Sequence, residues 1–199
     1  MNQTFDFDAN HVAVDLINTV RMKEGARWDR LEDFQDLRDW VVQSGLLDLA
    51  QTEQVKTLPE STKVLQEVKA FRDDLRAVLE GFVAGQPVPS SFLDHLNQIL
   101  QQHPGHPVLK GENPPLQRSV QHDLTHPEGL LGLLAAQAAD LLTLDLTGRI
   151  KKCENHLCIR YFLDTSRNNS RRWCSMSGCG NRAKAQAFYE RKTRGRGAS

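Results

Sequence analysis

The chain has 199 residues, 39% hydrophobic and 25% charged. That is enough apolar material for a packed core, so wholesale disorder is excluded, and the length suits one compact domain plus a small appendage. Net charge is zero at pH 7, yet residues 1–150 carry 13 Lys+Arg against 22 Asp+Glu, while residues 151–199 carry 12 against 3. A segment of about +9 following one of about −9 points to nucleic acid or another polyanion as the partner of the basic part.

The opening MNQTFDFDAN has no basic n-region and no apolar h-region, so no signal peptide and a cytoplasmic location are expected. HVAVDLINTV (residues 11–20) alternates apolar positions and then runs into helical spacing, setting Asp15, Asn18 and Thr19 in an apolar run. Those three read either as contacts to a small-molecule effector in a pocket of the body or as capping and turn hydrogen bonds. From Leu31 to Leu47, Leu31, Phe34, Leu37, Val41 and Val42 share a helical face, and Gly45 punctuates its end. Pro59, Glu60 and Ser61 open a longer helix to about Ala84, striped by Val64, Val68, Phe71, Leu75, Val78, Leu79 and Phe82. Ser90 or Ser91 caps a third, through Gln102.

Between His103 and Asp123 four prolines and two glycines change the texture, and Val108–Lys110 and Leu116–Gln121 read as short strands around a turn. The most apolar helix follows, from Pro127–Glu128 to about Leu144. The apolar stretch Gly129–Leu146 is broken by Gln137, Asp140 and Asp145, so it is a core helix and not a membrane span. Thr147–Gly148 turns the chain, and Arg149–Lys152 reads as a strand delivering Cys153.

The cysteines number four, all in the basic segment: Cys153, Cys158, Cys174 and Cys179. They form two C-x4-C pairs, and thiolates so spaced can converge from two short loops on one tetrahedral ion. Two disulfides are the competing account; the reducing cytoplasm disfavours them. Four thiolates leave no open coordination position, so the expected cofactor is one structural Zn2+ per chain, with His156 outside the ligand set. Gly178 and Gly180 bracket Cys179 and are read as allowing a tight, partly left-handed turn. Asn181 caps a basic helix from Arg182 to Arg194, ended by Gly195. Candidate DNA contacts are Arg167, Arg171 and Arg172 before the second knuckle, and Arg182, Lys184, Arg191 and Lys192 on the helix, because guanidinium groups engage phosphates and guanine edges bidentately.

The string SRNNSRRW leading into Cys174, with Cys179–Gly180–Asn181–Arg182 and the first C-x4-C, resembles the CGNR zinc-finger family. VAVDLINT, DLRDWVVQSGLL and LNQIL resemble the ABATE domain that usually precedes that finger. Asn169 stands where the finger usually has a second arginine. The resemblance implies a bacterial, stress-related transcription regulator with a DNA-binding zinc module.

The expected architecture is α+β: a predominantly helical body with a small antiparallel sheet over residues 1–147, for effector sensing or dimerisation, then a zinc-finger module over 148–199 ending in a basic helix. No G-x-S-x-G, Walker, Rossmann or H-E-x-x-H pattern occurs, and no enzyme is expected. The expected partner is duplex DNA, with a small-molecule effector and a homodimer as further expectations and no membrane. The alternative is a zinc-stapled RNA-binding or protein-interaction module.

Overall fold

A computed structural model describes the backbone of residues 3–196 and the side chains of residues 3–189. In chain order the elements are α1 (Val12–Ile17), β1 (Val20–Lys23), β2 (Ala26–Asp29), α2 (Phe34–Gln43), α3 (Leu49–Lys56), α4 (Thr62–Val83), α5 (Ser90–Gln102), β3 (Gly105–Lys110), β4 (Gln117–His122), α6 (Gly129–Leu142), β5 (Ile150–Lys152), β6 (Tyr161–Leu163) and α7 (Asn181–Arg196). The strands pair as three separate antiparallel ladders, β1–β2, β3–β4 and β5–β6, in place of a single small sheet. No helix among the described residues is long and apolar enough to cross a membrane.

The chain divides into two compact units. One comprises Arg30–Asp145 with the start of the chain; the other comprises Asp6–Asp29 and everything from Leu146 onward. The later division lies beside the boundary expected at 147. The earlier one differs from expectation, because Asp6–Asp29 packs in the unit that holds the cysteines.

In the helical unit, capping chemistry sets the helix starts. Asp33 accepts from the Asp36 amide at 2.9 Å and Asp36 accepts from the Asp33 amide at 3.3 Å, a reciprocal box that starts α2 at Phe34 and leaves Leu31 buried ahead of it. Asp48 and Gln51 make the same box for α3, a helix the apolar pattern does not announce. Ser61 caps α4 through the Val64 amide; of the expected stripe, Val64, Val68, Phe71, Leu75, Val78 and Leu79 are buried and Phe82 is half-buried. Neither Ser90 nor Ser91 caps α5: Pro89 is its N-cap, without a side-chain bond. The Phe71 and Phe92 rings stack at 6.2 Å, one from α4 and one from α5.

Nine of the fourteen residues of α6 are buried, and the helix packs on α4, α5 and the β3–β4 hairpin, which makes it the centre of this unit. Gly132 permits that packing. A Cβ there would lie 2.4 Å from the His103 Cβ and 2.6 Å from the His103 carbonyl oxygen.

The other unit has its own small apolar core of Ala13, Val14, Leu16, Ile17, Ile150 and Phe162. α1 packs on β6, all three of whose residues are buried. The β1–β2 ladder closes Lys23 against Ala26 over a two-residue turn, Glu24–Gly25, with φ +52° and +84°. Positive φ at both central positions matches the twist of the flanking strands.

Candidate metal centre and nucleic-acid interface

The first knuckle begins where β5 ends. Cys153 donates its amide to the Arg160 carbonyl at 2.9 Å, closing the loop base, and the Asn155 side chain accepts from the Leu157 amide at 3.0 Å inside it. The second knuckle is a π-turn at Met176–Gly180 running directly into α7. Ser175 holds it, its hydroxyl accepting from the Gly178 amide at 3.2 Å and its carbonyl from Gly180 at 2.9 Å. Neither Gly178 nor Gly180 has positive φ, so the left-handed turn expected there is not formed. What Gly180 provides is room: a Cβ would meet Met176 Sδ at 2.8 Å. Asn181 is already inside α7, its side chain donating to the Ser177 carbonyl, and the helix passes through Gly195 to Arg196.

These two loops bring the four cysteine sulfurs within 4.8 Å of one another. Cys158 Sγ lies 3.8 Å from Cys174 Sγ, which lies 3.7 Å from Cys179 Sγ. A regular tetrahedron with zinc–sulfur bonds of about 2.3 Å has sulfur–sulfur edges of about 3.8 Å, so the donors stand at the spacing one zinc requires. Three are buried and Cys158 is half-buried; no disulfide joins them. His156 is exposed and not among the clustered donors. Four sulfur ligands close the coordination sphere, so the metal is structural. Four thiolates around one Zn2+ would leave the centre with a net negative charge, and two donors offset it locally: the Cys174 amide donates to Cys153 Sγ at 3.5 Å and the Arg182 guanidinium to Cys179 Sγ at 3.1 Å.

Asp164 fastens the strand pair to the arginine-rich loop. Fully buried, it accepts from Lys151 Nζ at 2.7 Å, the Ser166 hydroxyl at 2.6 Å and the Arg171 amide at 2.8 Å. Burial alone would raise its pKa, but these donors hold it well below the usual carboxylate range. Asn169 adopts φ +48° and donates to the Gly148 carbonyl at 2.9 Å. Asparagine suits that conformation better than the arginine usual in the motif.

The expected DNA contacts fall into three groups. Arg171 is structural: it donates to the backbone carbonyls of Asp8, Trp173 and Cys174, and its guanidinium lies 4.4 Å from the centre of the Phe162 ring. Arg172 and Arg182 are exposed but engaged, Arg172 with Glu154 and the face of Trp173, Arg182 with Cys179. Arg167 and Lys184 are exposed, on the loop and on α7. The side chains of Arg191 and Lys192 lie outside the described residues.

Asp15, Asn18 and Thr19 are buried. Asp15 accepts from the Ala9 amide at 3.0 Å and the Thr19 hydroxyl donates to the Leu16 carbonyl at 2.8 Å. The Asn18 amide bonds both backbone groups of Tyr161. Sequence reasoning missed that this N-terminal segment braces the zinc loops. Arg160, two residues after Cys158, pairs with Asp8, and Leu163 donates its amide to the Ala9 carbonyl. The available signal was three polar side chains at helical spacing inside an apolar run.

Comparison with known families agrees with this geometry. The ABATE family, described as "Putative stress-induced transcription regulator", matches residues 10–145. The chain belongs to the ABATE family. The CGNR zinc finger matches residues 149–192, which contain all four cysteines. No curated protein matches the chain. The two matched segments meet near the later division between the compact units, while the first part of the ABATE segment packs with the finger.

Proposed function

We propose that this ABATE-family chain is a zinc-dependent, DNA-binding transcription regulator responsive to stress or to a ligand. The observation that carries the reading is where positive charge collects. The unit containing the metal centre holds 16 Lys+Arg against 8 Asp+Glu, and the helical unit 9 against 17. Zinc fixes the loops that bear Arg167 and launch α7, so phosphate contacts are held in place instead of condensing diffusely. Fluorescence anisotropy of a labelled duplex, with zinc-loaded and chelator-stripped chain across a salt series, tests it. If about five phosphates are engaged, log affinity falls against log salt with a slope near −4.5. Absence of binding, or binding unchanged by zinc removal, overturns the reading.

A second reading is supported by Phe188 and Tyr189, which are 56% and 65% exposed on α7 with ring centroids 5.8 Å apart. Exposed aromatic rings on a basic helix also suit stacking on unpaired bases, as in RNA binding, or docking on a protein. Competition between duplex DNA and single-stranded RNA separates the two. The proposal casts the chain as a non-enzyme. A small-molecule effector and a homodimer belong to it as well; ligand-dependent melting and sedimentation test them. It does not rest on Asp15, Asn18 and Thr19 as effector contacts, whose hydrogen bonds are spent within their own unit.

A further inference from the structure

The metal centre is open on one side. A cleft of about 790 Å3 runs alongside it, bordered by Arg21 and Gly25 of the β1–β2 hairpin and by Leu157, Cys158, Cys179 and Arg182 of the zinc loops. Cys174 and Cys179 line the same cleft but are only 1% and 2% exposed, and Cys153 is 5% exposed, whereas Cys158 is half-buried. Beside it at the rim, Leu157 is 69% exposed.

The sulfurs also differ in what quenches them. Cys179 Sγ takes a charged hydrogen bond from Arg182. A charged donor withdraws electron density from the sulfur it bonds, which suppresses Cys179, and Cys158 has the best access of the four.

We propose that Cys158 is a modification site through which small neutral peroxides reach the metal centre, and that its oxidation ends in a Cys158–Cys174 disulfide with loss of zinc. The proposal is independent of what the basic surface binds. In the first step the Cys158 thiolate attacks one oxygen of hydrogen peroxide. A sulfur–oxygen bond forms, the oxygen–oxygen bond breaks, and hydroxide leaves, giving a sulfenic acid. In the second, the Cys174 thiolate, 3.8 Å away, attacks the Cys158 sulfur. The sulfur–sulfur bond forms, the sulfur–oxygen bond breaks and a second hydroxide leaves. Two thiolates have given up two electrons, peroxide has accepted them, and buffer protons convert both hydroxides to water. Only Cys153 and Cys179 then remain as thiolate donors, too few to hold a structural zinc. The π-turn that carries α7 is thereby released from its anchor.

The test uses the full-length, zinc-loaded chain. Brief treatment with substoichiometric N-ethylmaleimide, then denaturation, blocking with isotopically heavy reagent and peptide mapping, is expected to label Cys158 several-fold ahead of the other three. Limiting hydrogen peroxide is expected to release zinc, read with a chromophoric chelator, in step with a Cys158–Cys174 cross-link found by mass spectrometry. Leu157→Trp, which crowds the rim at an exposed position, is expected to keep full zinc content while slowing peroxide-driven release. Equal labelling of all four cysteines, or another cysteine labelled first, overturns Cys158 as the point of entry. A different disulfide, or zinc release without one, overturns Cys174 as the partner. An unchanged release rate in Leu157→Trp overturns access through the cleft.

Discussion

Asn18 and Tyr161 stand 143 positions apart and exchange two hydrogen bonds, Asn18 Nδ2 donating to the Tyr161 carbonyl at 2.8 Å and the Tyr161 amide donating to Asn18 Oδ1 at 3.0 Å. One side-chain amide does for β6 what a neighbouring strand would do, satisfying both backbone groups of a buried residue. Replacing Asn18 with Ala removes both of these buried hydrogen bonds, at about 1–3 kcal/mol each. Asn18→Ala is expected to lower the melting temperature of the zinc-loaded chain and weaken its zinc affinity, measured by competition with a chelator. Unchanged zinc affinity would show that the brace and the metal loops are uncoupled.

Asp15 gives a pH signature of the same unit. It is 3% exposed, and burial pushes its carboxyl up to about 7 with the Asp8 charge adding to the rise; the Ala9 amide bond and Arg160 work the other way. The unfolded value is near 3.9, so between the two values the folded state holds a proton that the unfolded state has lost. Its contribution to stability is therefore fully present below about pH 4 and is lost as pH rises to about 7. Asp15→Asn is expected to gain on the parent through that window by up to about 1.4 kcal/mol per pH unit, then hold level. Urea titrations of both chains across pH 4–8 measure the difference, in which thiol protonation, common to both, cancels. A difference that does not change with pH would overturn the assignment.

Arg171 and Lys184 are expected to separate folding from binding. Arg171→Ala removes a guanidinium that ties three backbone carbonyls together over Phe162, and it lowers the thermal stability of the zinc-loaded chain. Lys184→Ala changes an exposed side chain on α7; it leaves melting and zinc content unchanged, weakens duplex binding and makes the salt slope shallower by about 0.9. Calorimetry, zinc analysis and anisotropy on the two variants read these apart. Loss of zinc in Lys184→Ala would contradict its placement.

In the helical unit, Gly132→Ala drives a Cβ into the backbone of His103, where no flexible side chain can give way. The expected cost is about 1–3 kcal/mol, seen as a lower urea midpoint. Leu134→Asp, on the same helix at 1% exposure, is expected to prevent this unit from folding, since it puts a carboxylate where a fully buried apolar side chain stands. A soluble Leu134→Asp chain as heat-stable as the parent would mean that α6 is not the core.

Long stripes and cysteine spacing were legible in the sequence because each rests on a strong local rule. α4 shows a helical period over 22 residues with a serine cap, and the paired C-x4-C spacing admits few structures. β1–β2 was not legible: its turn places Glu24, not Asn or Asp, at the first positive-φ position, and its strands are short and charged. β6 has three residues, all buried, so it offers no alternation to read. α3 buries only Gln51 and Val55, and its one readable sign is the box Asp48–Gln51. The pairing of Asn18 with Tyr161 depends on chain return over more than a hundred positions, which no local pattern encodes.

The discontinuous makeup of the zinc-bearing unit, Asp6–Asp29 with the chain from Leu146 onward, orders events during synthesis. The helical unit can close as soon as α6 has been made, whereas α1, made before it, must wait for β6 before its apolar face is covered. A chain that stops between α6 and β6 therefore has a helical unit that can close, an α1 still uncovered and an incomplete ligand set. The metal can be captured only once Cys179 has been made, so the basic surface around the zinc loops is assembled after the helical unit.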